Sequence, residues 1–260
     1  MVKNYVSFKS DNLKLAAHLH VPDTYKNGKK MPAIVTVHPF GGVKEQTAGV
    51  YAKALSNHGF ITLAFDRRHQ GSSEGEPRQL ENPEGMSEDV KSAVTFLTLQ
   101  EQVDPERIGV LGKKALGPIL VEAGEDRTNV AKGGEVKYLP IVPALNEITA
   151  ETPELLREGS EYYLTPRGSN PSSINRTAVM GYDRMATFDS FAFVNWISPR
   201  PLLLIAGDKA DTLKYSEEAY DKAEAPKELR LIENATHIAL YDQRAPDVVA
   251  RLAEFYKKHL

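Results

Sequence analysis

Along most of the chain, short apolar runs rich in β-branched residues alternate with segments whose apolar positions recur every three to four residues. This pattern predicts an α/β fold, a mostly parallel sheet with helices on both faces. Residues 4–10 and 13–21 read as two strands joined by the turn Asp11-Asn12, an antiparallel opening to the sheet. The run Ala33-Ile34-Val35-Thr36-Val37, inside residues 31–38, predicts a central strand buried on both faces. A helix over 47–58 puts Val50, Tyr51, Ala54 and Leu55 on one face and stops at Gly59, ahead of a strand over 60–66. Ser87 is a candidate N-cap, with Glu88 and Asp89 at the positive end of the helix dipole and Val90, Ala93, Val94 and Leu97 as the apolar stripe. After a short strand at 107–111 the pattern becomes irregular and rich in Pro and Gly as far as Trp196. Helical pieces are expected near 118–123 and 153–163, and residues 113–196 read as a cap or lid. Regularity returns with a buried strand at 201–206, a helix at 216–223, a strand at 228–232 and a last helix. In that helix Pro246 lies in the first turn, and Val248, Val249, Leu252, Phe255 and Tyr256 line one side.

A chain of 260 residues can close one α/β domain around a full core, so residues 1–260 are expected to be a single domain. Its apolar stretches are too short to span a bilayer, which predicts a soluble protein with no membrane partner. A net charge of −3 offers no field to attract a phosphate backbone, and nucleic acid is excluded as a partner on that ground. The chain has no cysteine, which excludes disulfides, thiolate metal sites and a cysteine nucleophile. Together with a polar start, Met-Val-Lys-Asn-Tyr-Val-Ser, this predicts a cytoplasmic location.

The strand at 201–206 runs into Gly207-Asp208-Lys209-Ala210-Asp211, and one strand later comes Asn234-Ala235-Thr236-His237. An acid after one late strand and a His after the last follow the order nucleophile, acid, His, in which the His takes the nucleophile's proton and the acid holds the imidazole. Further motifs are His38-Pro39-Phe40-Gly41-Gly42-Val43-Lys44-Glu45-Gln46, Asp66-Arg67-Arg68-His69-Gln70-Gly71, Pro140-Ile141-Val142-Pro143, Tyr163-Leu164-Thr165-Pro166-Arg167-Gly168 and Ile197-Ser198-Pro199-Arg200-Pro201. With Ala235-Thr236-His237-Ile238 they resemble the dienelactone-hydrolase-like α/β-hydrolases of bacteria and fungi that include polyketide transferases and thiohydrolases, over nearly the whole chain. The resemblance implies an acyl-enzyme mechanism on a small-molecule ester or thioester, through a Ser or Cys nucleophile and with no cofactor. It implies His237 as the base and Asp211 as the acid, at the family's Gly-x-x-x-Asp spacing, with Asp208 as second choice. Phe40, or Gly41 beside it, would donate one backbone N–H of the oxyanion hole. The same residues read equally as a tight strand-to-helix turn around a core His38.

One segment departs from the family. The strand ending at Gly112 would lead at once into a sharp elbow with the nucleophile two residues on, then a helix, then another central strand. Position 114 holds Lys, and about thirty residues are missing relative to expectation, the size of a βαβ unit less its first strand. A deletion that joins the strand directly to residues 115–128 is the simplest account. The fold is then expected to lack the strand after the elbow, and 108–111 is expected to pair directly with 202–206. Activity is expected to be weak or absent. Three readings stand: an active enzyme whose sequence is written without an internal segment, a non-catalytic relative that binds an acyl ligand or a partner protein, and an enzyme that uses Ser73.

Ser73 sits in a literal Gly-x-Ser-x-Gly at 71–75, but in the loop after the strand ending at Asp66, where Pro77 and Pro83 oppose the helix an elbow must open. Lys114, next to Lys113, reads as a solvated pair before a Schiff-base nucleophile. His18 and His20 share one strand face and could bind a metal, but no third ligand is visible; they read as half-exposed strand residues, and no metal is expected. Aromatic residues between Tyr138 and Trp196, among them Tyr162 and Tyr163, could line an acyl pocket or pack the cap.

Overall fold

The computed structural model describes residues 1–112, 126, 129–186 and 188–260. They form two compact units: Met1–Ile141 with Gly168–Phe188 and Leu260, and Val142–Arg167 with Asp189–His259.

The first unit contains β1 (Val2–Ser10), β2 (Leu13–Val21), β3 (Met31–Val37), α1 (Thr47–Asn57), β4 (Ile61–Phe65), α2 (Pro83–Thr98), β5 (Val103–Leu111) and the short pair β6 (Tyr138–Leu139) and β7 (Thr177–Ala178). Its main sheet is mixed, in the order β1-β2-β4-β3-β5. The expected antiparallel opening is present. Ser10 pairs with Leu13 across a two-residue turn, where Asp11 takes a φ of +50°, a left-handed conformation that Asp tolerates. β4 and β5 then flank β3 in parallel. With every residue of β4 buried and Ala33, Ile34, Val35 and Thr36 buried in β3, the centre of the sheet follows the β-branched runs. Phe8, Leu15, Leu63, Phe65, Ala93 and Leu97 pack into one core, and each large apolar side chain contributes about 1.5–3 kcal/mol.

Two local expectations are corrected. α2 starts at Pro83, with Asn82 as its cap accepting the Gly85 N–H, and the Ser87 hydroxyl bonds back to the Pro83 carbonyl inside the helix. The fixed φ of a proline at the first helical position decides this start ahead of the amphipathic stripe. Val50 faces outward at 38% exposure, because α1 turns Ala48 and Ala52 onto Ala64 of β4, where small side chains allow close approach.

The second unit contains α3 (Glu154–Tyr163), β8 (Leu202–Gly207), α4 (Leu213–Lys222), β9 (Lys227–Ile232), 3₁₀ turns that include Ile238–Tyr241, and α5 (Ala245–His259). β8 and β9 are parallel neighbours joined through α4. α5 carries Asp247 in its first turn and Lys257, Lys258 and His259 in its last, charges that suit both ends of its dipole. The expected direct ladder between 108–111 and 202–206 is not formed: β5 pairs with β3, and β8 with β9 in a separate sheet. The β9 ladder uses one edge of β8, and its other edge has no strand among the described residues, since β6 and β7 pair with each other. Accordingly Leu202 to Ile205 are half-buried, not fully buried as expected. Expectations for Lys114, for a helix near 118–123 and for the junction at 115–128, Asp126 apart, lie outside the described residues. No described helix is long and apolar enough to cross a membrane.

Candidate active site

In the second unit the residues around His237 are assembled by backbone contact between two loops. The Asp208 N–H donates to the Ile232 carbonyl at 3.1 Å and the Lys209 N–H to the Ala235 carbonyl at 3.0 Å, so the turn after β8 is stitched to the turn after β9. Gly207 makes this possible, since a Cβ there would fall well inside van der Waals contact of the Ala235 carbonyl oxygen. Gly207→Ala is therefore expected to cost roughly 1–3 kcal/mol, the scale of an overpacked site, and to displace the His237 ring resonances; an unchanged melt and spectrum would remove this account.

His237 opens the 3₁₀ turn, with Nδ1 2.6 Å from the Thr212 hydroxyl and Nε2 3.1 Å from the Tyr241 hydroxyl. Asp211, the expected acid, is exposed and is followed in sequence by Thr212, the residue at Nδ1. Asp208 is half-buried, with one carboxylate oxygen 3.8 Å from the Lys209 ammonium. Tyr241 is packed edge-on against Tyr162 at 5.3 Å and lies 6.2 Å from Tyr163, whose side chain hydrogen-bonds to it; burial pushes the Tyr241 phenol well up from its ordinary value. Leu155 and Ile238 complete this cluster, and Arg167 grips Asp242 with two bonds of 2.7 Å. Thr212 and Tyr241 were not singled out from the sequence. The signal was there for Tyr241, which sits four residues after His237, the spacing at which side chains meet on one helical turn.

In the first unit, residues 39–42 form a turn closed by a 3.0 Å bond from the Gly42 N–H to the Pro39 carbonyl, with Gly41 at a φ of +63°. That left-handed third position suits a type II turn and calls for glycine. Its space is also taken, because a Cβ on Gly41 would overlap the Ile141 side chain. The two oxyanion candidates differ. The Gly41 N–H points at the Glu81 carboxylate, 3.4 Å away, while no acceptor among the described residues lies on the Phe40 N–H. Ser173 donates to the Gly41 carbonyl at 2.9 Å and Gln46 to the Gly168 carbonyl at 2.6 Å, so residues 168–173 hold the turn from outside. His38 is fully buried beneath it. Its Nε2 accepts the Arg67 N–H at 3.2 Å, which leaves Nδ1 to donate to the Pro39 carbonyl at 2.9 Å. Burial, then the Arg67 charge, holds this imidazole well below its ordinary range, in its neutral form.

The run Asp66-Arg67-Arg68 has packing duties. Asp66 accepts from the Lys44 ammonium at 2.6 Å and from the N–H groups of Lys44 and Ser72, tying the end of β4 to the loop before α1. Arg68 is held by Asp89 and Asp11. Ser73 is buried, donating to the Asp66 carbonyl at 2.6 Å and accepting the Ala16 N–H at 2.9 Å, while Arg78 binds the carbonyls of Gly71, Ser73 and Gly75. Ser73→Ala is expected to leave any esterase activity within a few-fold and to cost about 1–3 kcal/mol, because the Ala16 N–H loses its acceptor. A loss beyond ~100-fold, the scale of a general acid or base, would restore Ser73 as a nucleophile.

His18 and His20 are buried, at 2% and 4% exposure, not half-exposed as expected. α1 packs on this face of β2, and Tyr5 lies edge-on to His18 at 4.8 Å, which covers the rings. The described residues hold no group of three His, Cys, Asp or Glu side chains that could bind a metal.

Comparison with known proteins bears on this arrangement. Residues 11–129, under half the chain, match the X-Pro dipeptidyl-peptidase (S15 family) model. The uncharacterized protein YcjY of Escherichia coli (strain K12) is 33% identical over 308 aligned positions that take in 100% of both chains. Because this chain has 260 residues, about 48 of those positions of YcjY have no counterpart here. The crystal structure of the hypothetical protein PA2218 from Pseudomonas aeruginosa superposes with a TM-score of 0.90 at 31% identity, covering 100% of this chain and 94% of that one. GrgF from Penicillium, an α/β hydrolase by its structure and a polyketide transferase by name, superposes with a TM-score of 0.84 at 21% identity, covering 100% of this chain and 99% of that one, a likeness of fold. With a relative at one third identity along the full length of both chains, the chain belongs to the family of YcjY and PA2218, and its fold is that of the α/β hydrolases.

Proposed function

We propose that this chain is built on the machinery of an ester or thioester hydrolase or acyl (polyketide) transferase, with His237 as general base, Asp211 as the acid of the 208–212 turn whose Thr212 hydroxyl meets the ring at Nδ1, and the Phe40 N–H as an oxyanion donor. The observation that carries this reading is the His237 loop, held against the 208–212 turn with its ring bonded at both nitrogens. In such a site a Ser or Cys attacks the acyl carbonyl while His237 Nε2 takes its proton. The oxyanion is met by backbone N–H groups, and the imidazolium returns the proton to the leaving alcohol or thiol. Water, or an acceptor hydroxyl in a transferase, then releases the acyl group by the same steps in reverse. The chemistry needs no cofactor. Residues 113–196 serve as a cap in this reading, over a small acyl substrate, and a cysteine-free chain suits work in the cytoplasm.

No residue with a hydroxyl or thiol stands two positions after Gly112, where this machinery keeps its nucleophile; Lys114 does. The shortfall of about 48 positions against YcjY supports an internal segment missing from the sequence as written. Intact mass of the natural protein, and its coding sequence across Gly112 and Lys113, test this directly. A mass above 28.8 kDa by several kilodaltons is the expected result. A mass of 28.8 kDa favours the second reading, a non-catalytic relative that keeps the acyl-binding machinery, for which Lys114 is the specific support. Fluorophosphonate labelling of the chain as written is expected to be negative, and labelling at Ser73 would favour the third.

A further inference from the structure

We infer that Tyr241 and Thr212 are positioning residues that set the tautomer of His237, in a hydrogen-bonded series running Tyr163, Tyr241, His237, Thr212. The inference rests on the reading of His237 as the base and specifies how that base is prepared. A triad base works only with its proton on Nδ1 and a lone pair on Nε2. An acid is the usual holder of the Nδ1 proton, but here the group at Nδ1 is a hydroxyl, 2.6 Å away. A hydroxyl can donate or accept, so Thr212 alone leaves the tautomer open.

The other side of the ring supplies the direction. The Tyr241 phenol, buried at 5% exposure, hydrogen-bonds to the Tyr163 side chain and stands 3.1 Å from Nε2. With Tyr163 donating to the Tyr241 oxygen, the Tyr241 proton turns to Nε2, which must then accept. The ring proton is left on Nδ1 and is donated to the Thr212 oxygen. Aromatic packing fixes the geometry: Tyr241 is edge-on to Tyr162 and its centroid is 5.4 Å from that of His237, so the phenol cannot swing away without opening the cluster. Tyr241 also occupies the side of the ring from which a nucleophile's proton would arrive. A nucleophile therefore replaces the phenol as the partner of Nε2 and meets a lone pair already presented.

The test is a long-range ¹H–¹⁵N correlation spectrum of the full chain labelled at its histidines, with His237 assigned by its loss in His237→Gln. The Nδ1–H tautomer is expected in the unaltered chain. Tyr241→Phe, which keeps the ring and removes the donor, is expected to shift the population toward Nε2–H by about fivefold, what one net hydrogen bond is worth. Thr212→Val is expected to shift it the same way and Thr212→Ser to restore it, a rescue that a purely packing role would not produce. A dominant Nε2–H tautomer in the unaltered chain overturns the inference without need of any variant, as does an unchanged tautomer in both Tyr241→Phe and Thr212→Val. The spectrum requires no substrate, so failure of the acyl-hydrolysis reading would appear separately, as absent turnover in a chain whose His237 is correctly poised.

Discussion

Inserting the corresponding segment of YcjY between Gly112 and Lys113 is expected to raise hydrolysis of p-nitrophenyl esters and simple acyl thioesters by about 10⁴–10⁶-fold over the chain as written. Loss of a triad nucleophile costs about six orders of magnitude in the type case and leaves only what the oxyanion hole and binding supply. The gain is expected to vanish when the inserted nucleophile is changed to Ala, and again in His237→Ala. The restored chain is also expected to melt several degrees higher, since a central strand gives β8 a second neighbour and covers its half-buried Leu202 to Ile205. Two results would sink the proposal: a chain as written whose kcat/KM already exceeds ~10⁴ M⁻¹ s⁻¹, the level of an ordinary enzyme, or a restored chain that folds and gains nothing.

Lowering the pH from 7 to 5 is expected to destabilise the first unit by several kcal/mol, through His18 and His20. Burial is the main cause that lowers each of them from 6.5 to about 4. Lys3 adds to both, Lys44 and the other His to His18, and Lys53 to His20, while Glu45, 3.7 Å from His18, pulls the other way. The folded state binds these protons less readily than the unfolded chain. Their contribution is therefore complete above pH 6.5 and is lost as the pH falls from there toward 4. At about 1.4 kcal/mol per unit, each ring is worth roughly 2 kcal/mol between pH 6.5 and 5, in the limit where both stay in place. His38, neutral in the fold for the same reason, shifts in the same direction, so removing His18 and His20 is expected to reduce the slope without abolishing it. Urea midpoints of the unaltered chain and of His18→Gln/His20→Gln across this range are the measurement. A flat midpoint from pH 7 to 5, or a slope indifferent to the double substitution, contradicts the assignment.

Element type and order were legible in the sequence because periodicity reports which side of an element faces a core, and most strands here obey it. The run at 33–37 reads as a central strand and is one; the Asp11-Asn12 turn reads as a hairpin and is one. Errors arose where a single residue outweighs the period. Pro83 sets the start of α2 four residues ahead of Ser87, and Ala48 and Ala52 rotate α1 so that Val50 faces water. Of the candidate site, the order of Asp211 and His237 along the chain was readable, as was the turn at 39–42. What bonds to His237 was not. Thr212 and Tyr241 reach it only because Gly207 lets the 235–237 backbone lie against the end of β8 and because the 3₁₀ turn brings position 241 back over the ring. Likewise Glu81, forty residues from Gly41, separates Phe40 from Gly41 as an oxyanion donor, a distinction no local pattern carries. The sequence by itself therefore determined the α/β class, the hairpin, the core strands and the missing hydroxyl or thiol at position 114, since each depends on neighbours within a few residues. The tertiary structure alone decided the pairing of β8 with β9, the enclosure of His18 and His20, and the partners of His237, since each depends on which distant backbone segments can approach closely enough to exclude water.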